Sequence, residues 1–363
     1  MAGFFSAMIG SVAAASVAAP QVITKVLAFF GVSSSASTPK VYEWLPDVGY
    51  GSLMSSGPVS FYQGAQDGTT ISPSGNMIAY ATAVSPYVVV IRVSKDGYGT
   101  AFSNPATLPT GYGRGIGWGP NSDVLAVGHS TSPYVTTYPV NSSTGFGTKY
   151  ANPATAFGSS GYGLHWTPDG NELGFAGSVA PRWCVYNWSN ASGFGTRQTN
   201  SYSDISISAQ VGKWNSTGTK FISGGSQSGN YGPMYLDHSV GNGFSSTVFP
   251  GTQAAGTIYS PRFNKNNNAV VAGHSNSPYI AAYPWSNSTG WGTKYSNPAS
   301  LPANYTSGST YTPSGTDVVT SVISNPNGTT AWKWTDASGF GTKYSNPASA
   351  PGYTRGCEVQ GYY

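Results

Sequence analysis

Charged residues are scarce in this sequence. Only 8% of its 363 residues are Asp, Glu, Lys or Arg, whereas an ordinary soluble domain has about 25%. The 16 Lys and Arg outnumber the 12 Asp and Glu, and no short window collects several cations. This scarcity excludes a charge-rich disordered tail and a helical bundle with ion-paired faces. Because nucleic-acid binding needs clustered cations, it also argues against a nucleic-acid partner.

Cysteine and histidine are also scarce. The two cysteines, Cys184 and Cys357, lie in apolar segments, which is typical of small buried thiols and excludes a disulfide framework. None of the four histidines has the spacing to cysteine that a zinc site requires. Neither a Gly-x-Ser-x-Gly elbow nor a phosphate-binding glycine loop occurs. The sequence therefore predicts no metal and no cofactor.

An internal repeat of about 48 residues dominates what is present. A Gly-aromatic-Gly-Thr marker begins at Gly97, Gly145, Gly193, Gly290 and Gly339, with a degenerate copy at Gly243. With the same period, an aromatic or apolar residue precedes a Pro-Ser-Gly or related turn, at Ile71, Trp118, Trp166, Trp214, Phe263 and Tyr311. Landmarks that recur six times in one order indicate a repeat architecture.

Each repeat resolves into four short strands separated by Gly- and Pro-rich turns. In the second repeat these are residues 115–118, 124–128, 134–140 and 148–151, which are rich in Val, Tyr and Thr. A four-stranded sheet cannot bury both faces alone, but sheets that stand around an axis bury one another. The predicted fold is therefore an all-β propeller.

The repeat count predicts seven blades of four antiparallel strands. Six repeats run from about residue 69 to about residue 353, which leaves residues 40–68 and 354–363. The tail from Thr354 to Val359 matches the first strand of the second repeat, which begins at Gly113. We expect these two segments to share the last blade, since such closure removes exposed sheet edges. A ring of six blades with both termini outside it is the alternative.

Residues 1–32 are strongly apolar and carry one charge, Lys25. Apolar residues recur at helical spacing, and Pro20 and Gly31 suit the start and end of a helix. We predict an apolar helical arm and a Ser/Thr/Pro linker over residues 1–39, ahead of a propeller domain at 40–363. The candidate docking residues are Phe4, Phe5, Met8, Ile9, Val12, Val22, Ile23, Val26, Leu27 and Phe30.

Other interpretations of the arm stay open. A secretory signal has a basic region before its apolar stretch, and a membrane span has about 20 unbroken apolar residues. The arm shows neither feature, although both interpretations are kept as alternatives. The arm could also pack back onto its own domain.

The turn phrase Trp166-Thr167-Pro168-Asp169-Gly170-Asn171-Glu172-Leu173 resembles the blade signature of WD40-like propeller repeats. The resemblance covers residues 69–342 and implies a fold rather than a function. The His and Trp-Asp signatures of eukaryotic WD40 repeats are absent, so the similarity is to the broad superfamily. The Gly-His-Ser-x-Ser-Pro-Tyr phrases at 128–134 and 273–279 resemble, more weakly, propeller proteins of tailed bacteriophages.

Candidate catalytic residues are few. Propellers that act on glycans place pairs of acids on the first strands around the axis, and here only Glu358 is such an acid. The aromatic series that repeats once per blade indicates packing between blades. Aromatic residues in the irregular segments 225–235 and 300–310 are the candidates for ligand contact: Tyr231, Tyr235 and Tyr305.

These observations lead us to expect a non-enzymatic virion structural protein, as the weaker resemblance also implies. The arm at 1–32 would dock into the capsid or tail of a phage particle, and the propeller would be displayed outside. Other virion proteins are the expected partners, with a second copy of the chain and host-surface glycan as further candidates. The alternative is an adhesion propeller that binds a glycan or receptor. A secreted bacterial propeller and a glycan hydrolase rank below these two.

Overall fold

The protein is a ring of seven four-stranded sheets. The computed structural model describes residues 22–33, 37–64, 68–202, 205–226, 232–324 and 328–363. In these residues 28 strands form seven antiparallel sheets. The predicted all-β propeller with seven blades is confirmed, and the six-bladed alternative is wrong.

The terminal blade is built from both ends of the chain. Its strands are β1 (Lys25–Val32), β2 (Lys40–Leu45), β3 (Gly49–Ser56) and the C-terminal β28 (Thr354–Tyr362). They lie in the order β28–β1–β2–β3. Strands β1 and β28 are antiparallel, with Lys25 opposite Tyr362 and Phe30 opposite Cys357. The two ends of the chain therefore close the ring by main-chain hydrogen bonds.

The other six blades each use four consecutive strands. Blade 1 comprises β4 (Thr69–Ile71), β5 (Met77–Ala81), β6 (Val88–Ser94) and β7 (Gly97–Ala101). Blade 2 comprises β8 (Gly113–Trp118), β9 (Val124–His129), β10 (Val135–Asn141) and β11 (Gly145–Phe146). Blade 3 comprises β12 (Gly161–Trp166), β13 (Glu172–Gly177), β14 (Trp183–Ser189) and β15 (Gly193–Arg197). Blade 4 comprises β16 (Ser208–Trp214), β17 (Lys220–Ser226), β18 (Met234–Ser239) and β19 (Gly243–Val248). Blade 5 comprises β20 (Ile258–Phe263), β21 (Ala269–His274), β22 (Ile280–Ser286) and β23 (Gly290–Trp291). Blade 6 comprises β24 (Thr306–Tyr311), β25 (Asp317–Val322), β26 (Thr329–Thr335) and β27 (Gly339–Lys343).

The first strands of the blades line the central axis. Each of them contacts the first strand of the next blade, all round the ring from β28 through β4 to β24. A Cβ added to Gly115 would meet the main chain of Tyr162, and one added to Gly117 would meet that of Leu164. Neighbouring first strands therefore run in the same direction, and glycine allows β8 and β12 to approach this closely.

Aromatic residues at the ends of the first strands hold neighbouring blades together. The Trp118 indole donates a hydrogen bond to the Thr70 carbonyl of blade 1 at 3.3 Å. The Trp214 indole donates in the same way to the His165 carbonyl of blade 3 at 2.8 Å. The series therefore lies between blades.

The predicted helix over Val22–Phe30 is wrong, because Lys25–Val32 is a strand inside the terminal blade. Leu27 and Phe29 belong to the apolar cluster shared with blade 1. Ala28 and Phe30 belong to the cluster shared with blade 6. A strand that is buried on both faces has a continuous apolar run, which periodicity alone cannot distinguish from a helix.

The boundary at residue 39 and part of the docking set need correction as a result. The propeller includes the chain from Lys25 onward, and Leu27 and Phe30 are completely buried core residues. Ile23 and Val26 are half-buried, and Val22 is exposed. The other predicted docking residues lie outside the described residues: Phe4, Phe5, Met8, Ile9 and Val12.

Candidate functional site

Four ionisable residues of the inner wall occur at one repeated strand position. This position immediately precedes the aromatic series in blades 1 to 6, and β28 supplies its equivalent. It is occupied around the ring by Thr70, Gly117, His165, Lys213, Arg262, Thr310 and Glu358. We call the four titratable members, His165, Lys213, Arg262 and Glu358, the charged ring.

An ion pair shows that these side chains converge on the axis. Arg262 Nη2 lies 3.4 Å from Glu358 Oε1, and each side chain is 16% exposed. Arg262 is on blade 5 and Glu358 on the terminal blade, so blade 6 stands between them. Side chains of two blades that are not neighbours can meet in this way only inside the channel.

His165 is held as a neutral ring with a defined tautomer. Desolvation, followed by the charges of Lys213 and Arg262, lowers the pKa of His165 well below its ordinary value. The Trp214 main-chain N–H donates a hydrogen bond to His165 Nδ1 at 3.2 Å. Since Nδ1 accepts, the proton of the neutral ring is on Nε2. His165 is therefore a hydrogen-bond donor at Nε2 rather than a base.

The charged ring is asymmetric. His165, Lys213 and Arg262 come from three consecutive blades, and Lys213 is only 6% exposed. The equivalent residues of blades 1 and 2 are Thr70 and Gly117. Blades 1 and 2 thus contribute small residues at this position, and the cations are confined to one side of the ring.

A cavity reaches the charged ring at His165. It has a volume of about 340 Å³ and is lined by His165, Trp166, Trp214 and Phe263 among others. A second cavity of about 410 Å³ adjoins it through Phe263 and contains Gln360. Both lie on the face that carries the turns after the first strands.

The opposite mouth of the channel has a different chemistry. Its defining residues are Tyr62, Tyr112, Arg114, Tyr162 and Arg355, which we call the Tyr–Arg mouth. The Arg114 guanidinium lies 4.3 Å from the Tyr112 ring centre and 5.1 Å from that of Tyr162. The Arg355 guanidinium lies 5.4 Å from the ring centre of Tyr62.

The three predicted ligand-loop aromatics have different outcomes. Tyr305 is half-buried, and its ring centre lies 5.9 Å from that of Tyr259. Burial raises the pKa of Tyr259, and the charge of Arg355 opposes this rise. Tyr305 therefore lies near the Tyr–Arg mouth. Tyr235 is wrong as a ligand contact, because it lies in β18, is 6% exposed and packs against Trp285 at 5.2 Å between ring centres. Tyr231 lies outside the described residues.

His129 and His274 occupy equivalent buried positions away from the axis. Burial lowers the pKa of each to about 4. His129 Nε2 lies 3.0 Å from the Thr136 hydroxyl. Their place on the second strands of blades 2 and 5 gives them a role within the blades.

In the part of the chain that the structure describes, no group of three or more His, Cys, Asp or Glu side chains could hold a metal ion. The same part of the chain contains no helix that is both long enough and apolar enough to cross a membrane.

Comparison with known proteins gives a fold but no sequence family. No protein-family model matches the chain, and no curated protein matches it. A candidate 6-phosphogluconolactonase of Bacteroides fragilis has a TM-score of 0.70 at 12% identity, covering 93% of this chain and 98% of its own. The periplasmic gluconolactonase of Pseudomonas aeruginosa has a TM-score of 0.67 at 11% identity, covering 94% and 99%. At such identities the likeness shows the seven-bladed fold alone.

The expectation of a non-enzymatic virion structural protein is wrong. Three of the solved structures that the chain resembles carry the names of lactonases, and the resemblance to phage propellers is not shown. The expectation also relied on the absence of any active-site constellation, and it was made without the charged ring, a cluster of ionisable side chains around the axis. The catalytic and binding patterns considered in the sequence were paired acids, zinc-ligand spacings, a Gly-x-Ser-x-Gly elbow and phosphate-binding loops, and none of them brings together His165, Lys213 and Arg262. Alignment of the repeats on their aromatic residue would have placed His165, Lys213 and Arg262 in one column.

Proposed function

We propose that the chain is a lactonase that hydrolyses an acidic sugar lactone in the central channel. The observation that carries the proposal is the convergence of Glu358 with His165, Lys213 and Arg262 around the axis. Lactone hydrolysis needs a base for water, a donor for the carbonyl oxygen and cations for an acidic substrate. The charged ring contains all three. The names of the neighbours, a gluconolactonase and candidate 6-phosphogluconolactonases, support the same reaction class.

Glu358 is the candidate general base. Its carboxylate is held by Arg262 at 3.4 Å, and this pairing favours the ionised form that accepts a proton. Glu358 would take a proton from water as the water oxygen bonds to the lactone carbonyl carbon. When the ring C–O bond then breaks, the leaving oxygen takes that proton back from Glu358 and becomes a hydroxyl group. The products are the free sugar acid and the regenerated carboxylate.

His165 is the candidate donor to the carbonyl oxygen. Negative charge develops on this oxygen as water adds, and a fixed donor in a narrow channel stabilises that charge. The Nε2–H of His165 can donate because Nδ1 is occupied by the Trp214 main-chain N–H. The lowered pKa keeps the ring neutral near pH 7, so the donor role does not depend on protonation.

Lys213 and Arg262 are the candidate groups for substrate charge. Lys213 is buried beside His165, and Arg262 is on the next blade. Charge-assisted hydrogen bonds to a carboxylate or phosphate are stronger than neutral ones. These cations would thus favour an acidic lactone over an uncharged one.

The test is the hydrolysis of glucono-δ-lactone and 6-phosphogluconolactone by purified protein, followed by proton release at constant pH. We expect a rate above spontaneous hydrolysis, which is greater for the acidic 6-phosphogluconolactone than for the uncharged glucono-δ-lactone, and a loss of 100-fold or more in kcat/KM for Glu358→Gln. Glu43→Gln is the matched control, because Glu43 lies on β2 away from the channel and pairs with Lys25 at 3.9 Å. A wild-type rate no faster than the spontaneous one, or equal rates for wild type and Glu358→Gln, would overturn the proposal.

A further inference from the structure

The Tyr–Arg mouth is separate from the charged ring. Arg114 and Arg355 occupy the second position of β8 and β28. On β28, Arg355 precedes Glu358 by three residues, which corresponds to about 10 Å at the rise of a strand. The two arginines therefore lie toward the other end of the channel, where the first strands begin.

Tyrosine rings hold both guanidinium groups. Arg114 lies between the rings of Tyr112 and Tyr162, and Arg355 lies over Tyr62 and donates to the Gly64 carbonyl at 3.4 Å. Contact with a ring face attracts the cation and keeps the planar group in one orientation. A guanidinium held in this way presents its N–H edge to a ligand.

The two arginines face one common region. Residue Gly64 packs so closely on Tyr112 that an added Cβ would lie 2.9 Å from its ring. This packing brings Tyr62, under Arg355, next to Tyr112, under Arg114. Burial raises the pKa of Tyr112, and the charges of both arginines oppose this rise. Because both charges act on the Tyr112 hydroxyl, both guanidinium groups lie near it.

Both guanidinium groups have donors that lack an acceptor. The Nε atoms of Arg114 and Arg355 are buried, and neither has a hydrogen-bond partner among the described residues. A buried donor without a partner is costly. An oxyanion removes this cost, because its oxygens accept from a guanidinium in a bidentate manner.

We propose that the Tyr–Arg mouth is an anion site that binds the phosphoryl or carboxylate group of a small molecule between Arg114 and Arg355. The site does not depend on the lactonase activity proposed above. It uses residues of blades 2 and 3, the terminal blade and the 61–64 segment, and none of these residues belongs to the charged ring.

The test follows the arginine Nε–H signals by NMR in protein labelled with 15N-arginine. The chain has six arginines, so the variants Arg114→Gln and Arg355→Gln assign the two signals. On addition of inorganic phosphate or acetate, we expect both to shift with one dissociation constant. The stronger of the two anions identifies the ligand group. Each variant should weaken the binding of that anion at least tenfold, and Arg114→Lys replaces Arg114→Gln if the latter does not fold.

Arg92→Gln is the matched control. Arg92 is also stacked on a ring, at 3.8 Å from the centre of Phe102, but lies on the third strand of blade 1. The Arg92→Gln variant should leave the anion affinity unchanged. A shift of the Arg262 signal alone would overturn the proposal, since the anion would then occupy the charged ring. The absence of any shift at the Arg114 and Arg355 signals would also overturn it.

Discussion

Replacement of Phe30 by alanine tests whether β1 is an integral part of the ring. Phe30 is completely buried in the cluster that joins the terminal blade to blade 6. Its ring lies 5.9 Å from that of Tyr42 and 6.2 Å from that of Tyr50. Truncation removes the transfer free energy of the side chain and leaves a cavity, which together cost about 3–5 kcal/mol.

The expected effect is measurable by thermal unfolding. With an unfolding entropy that scales with 363 residues, a loss of this size lowers the Tm by about 4–7 °C. Differential scanning calorimetry of Phe30→Ala and wild type provides the measurement. Val22→Ala is the control, because Val22 is 76% exposed and such substitutions change stability by about 0.5 kcal/mol or less. Equal Tm values for Phe30→Ala and wild type would refute the placement of β1 in the blade.

Two further predictions concern stability. Asp317 is buried and accepts hydrogen bonds from the Trp44 indole at 3.3 Å and the Tyr344 hydroxyl at 2.6 Å. Because Asp317→Ala leaves these donors unpaired, it should lower the free energy of unfolding by about 2–4 kcal/mol in urea titrations; an unchanged midpoint would contradict this. His129 has a pKa of about 4 in the folded state and about 6.5 when unfolded, so the unfolded state binds more protons and stability falls as the pH drops from 6.5 to 4. His129→Gln should reduce that acid-induced loss by about 2–3 kcal/mol, and an identical loss in variant and wild type would contradict the assignment.

The repeat made most of the fold predictable from sequence. The Gly-aromatic-Gly-Thr markers set the blade period, and the likeness of Thr354–Val359 to the second repeat's first strand predicted closure by the C-terminus. Strand β1 was not predictable from local pattern. Its run from Val26 to Val32 is apolar on both faces, since β1 lies between two strands and beneath two neighbouring blades. Such a run fits a buried strand and a helix equally well.

The site was harder to predict than the fold. Each blade contributes a single residue to the charged ring, so no local motif marks it. Arg262 and Glu358 are 96 residues apart in sequence and meet only after the ring has closed. The tautomer of His165 depends on a main-chain N–H of the next blade. These relations arise from the assembled ring rather than from any one repeat.

The most direct test of the proposed lactonase is a crystal structure of the protein with 6-phosphogluconate, the product of 6-phosphogluconolactone hydrolysis. We predict a sugar acid inside the channel, with a carboxylate oxygen within hydrogen-bond distance of His165 Nε2 and Glu358 beside the same carbon. A structure with 6-phosphogluconate bound only on the outer surface, or with a channel that stays free of it at saturating concentration, would contradict the proposal.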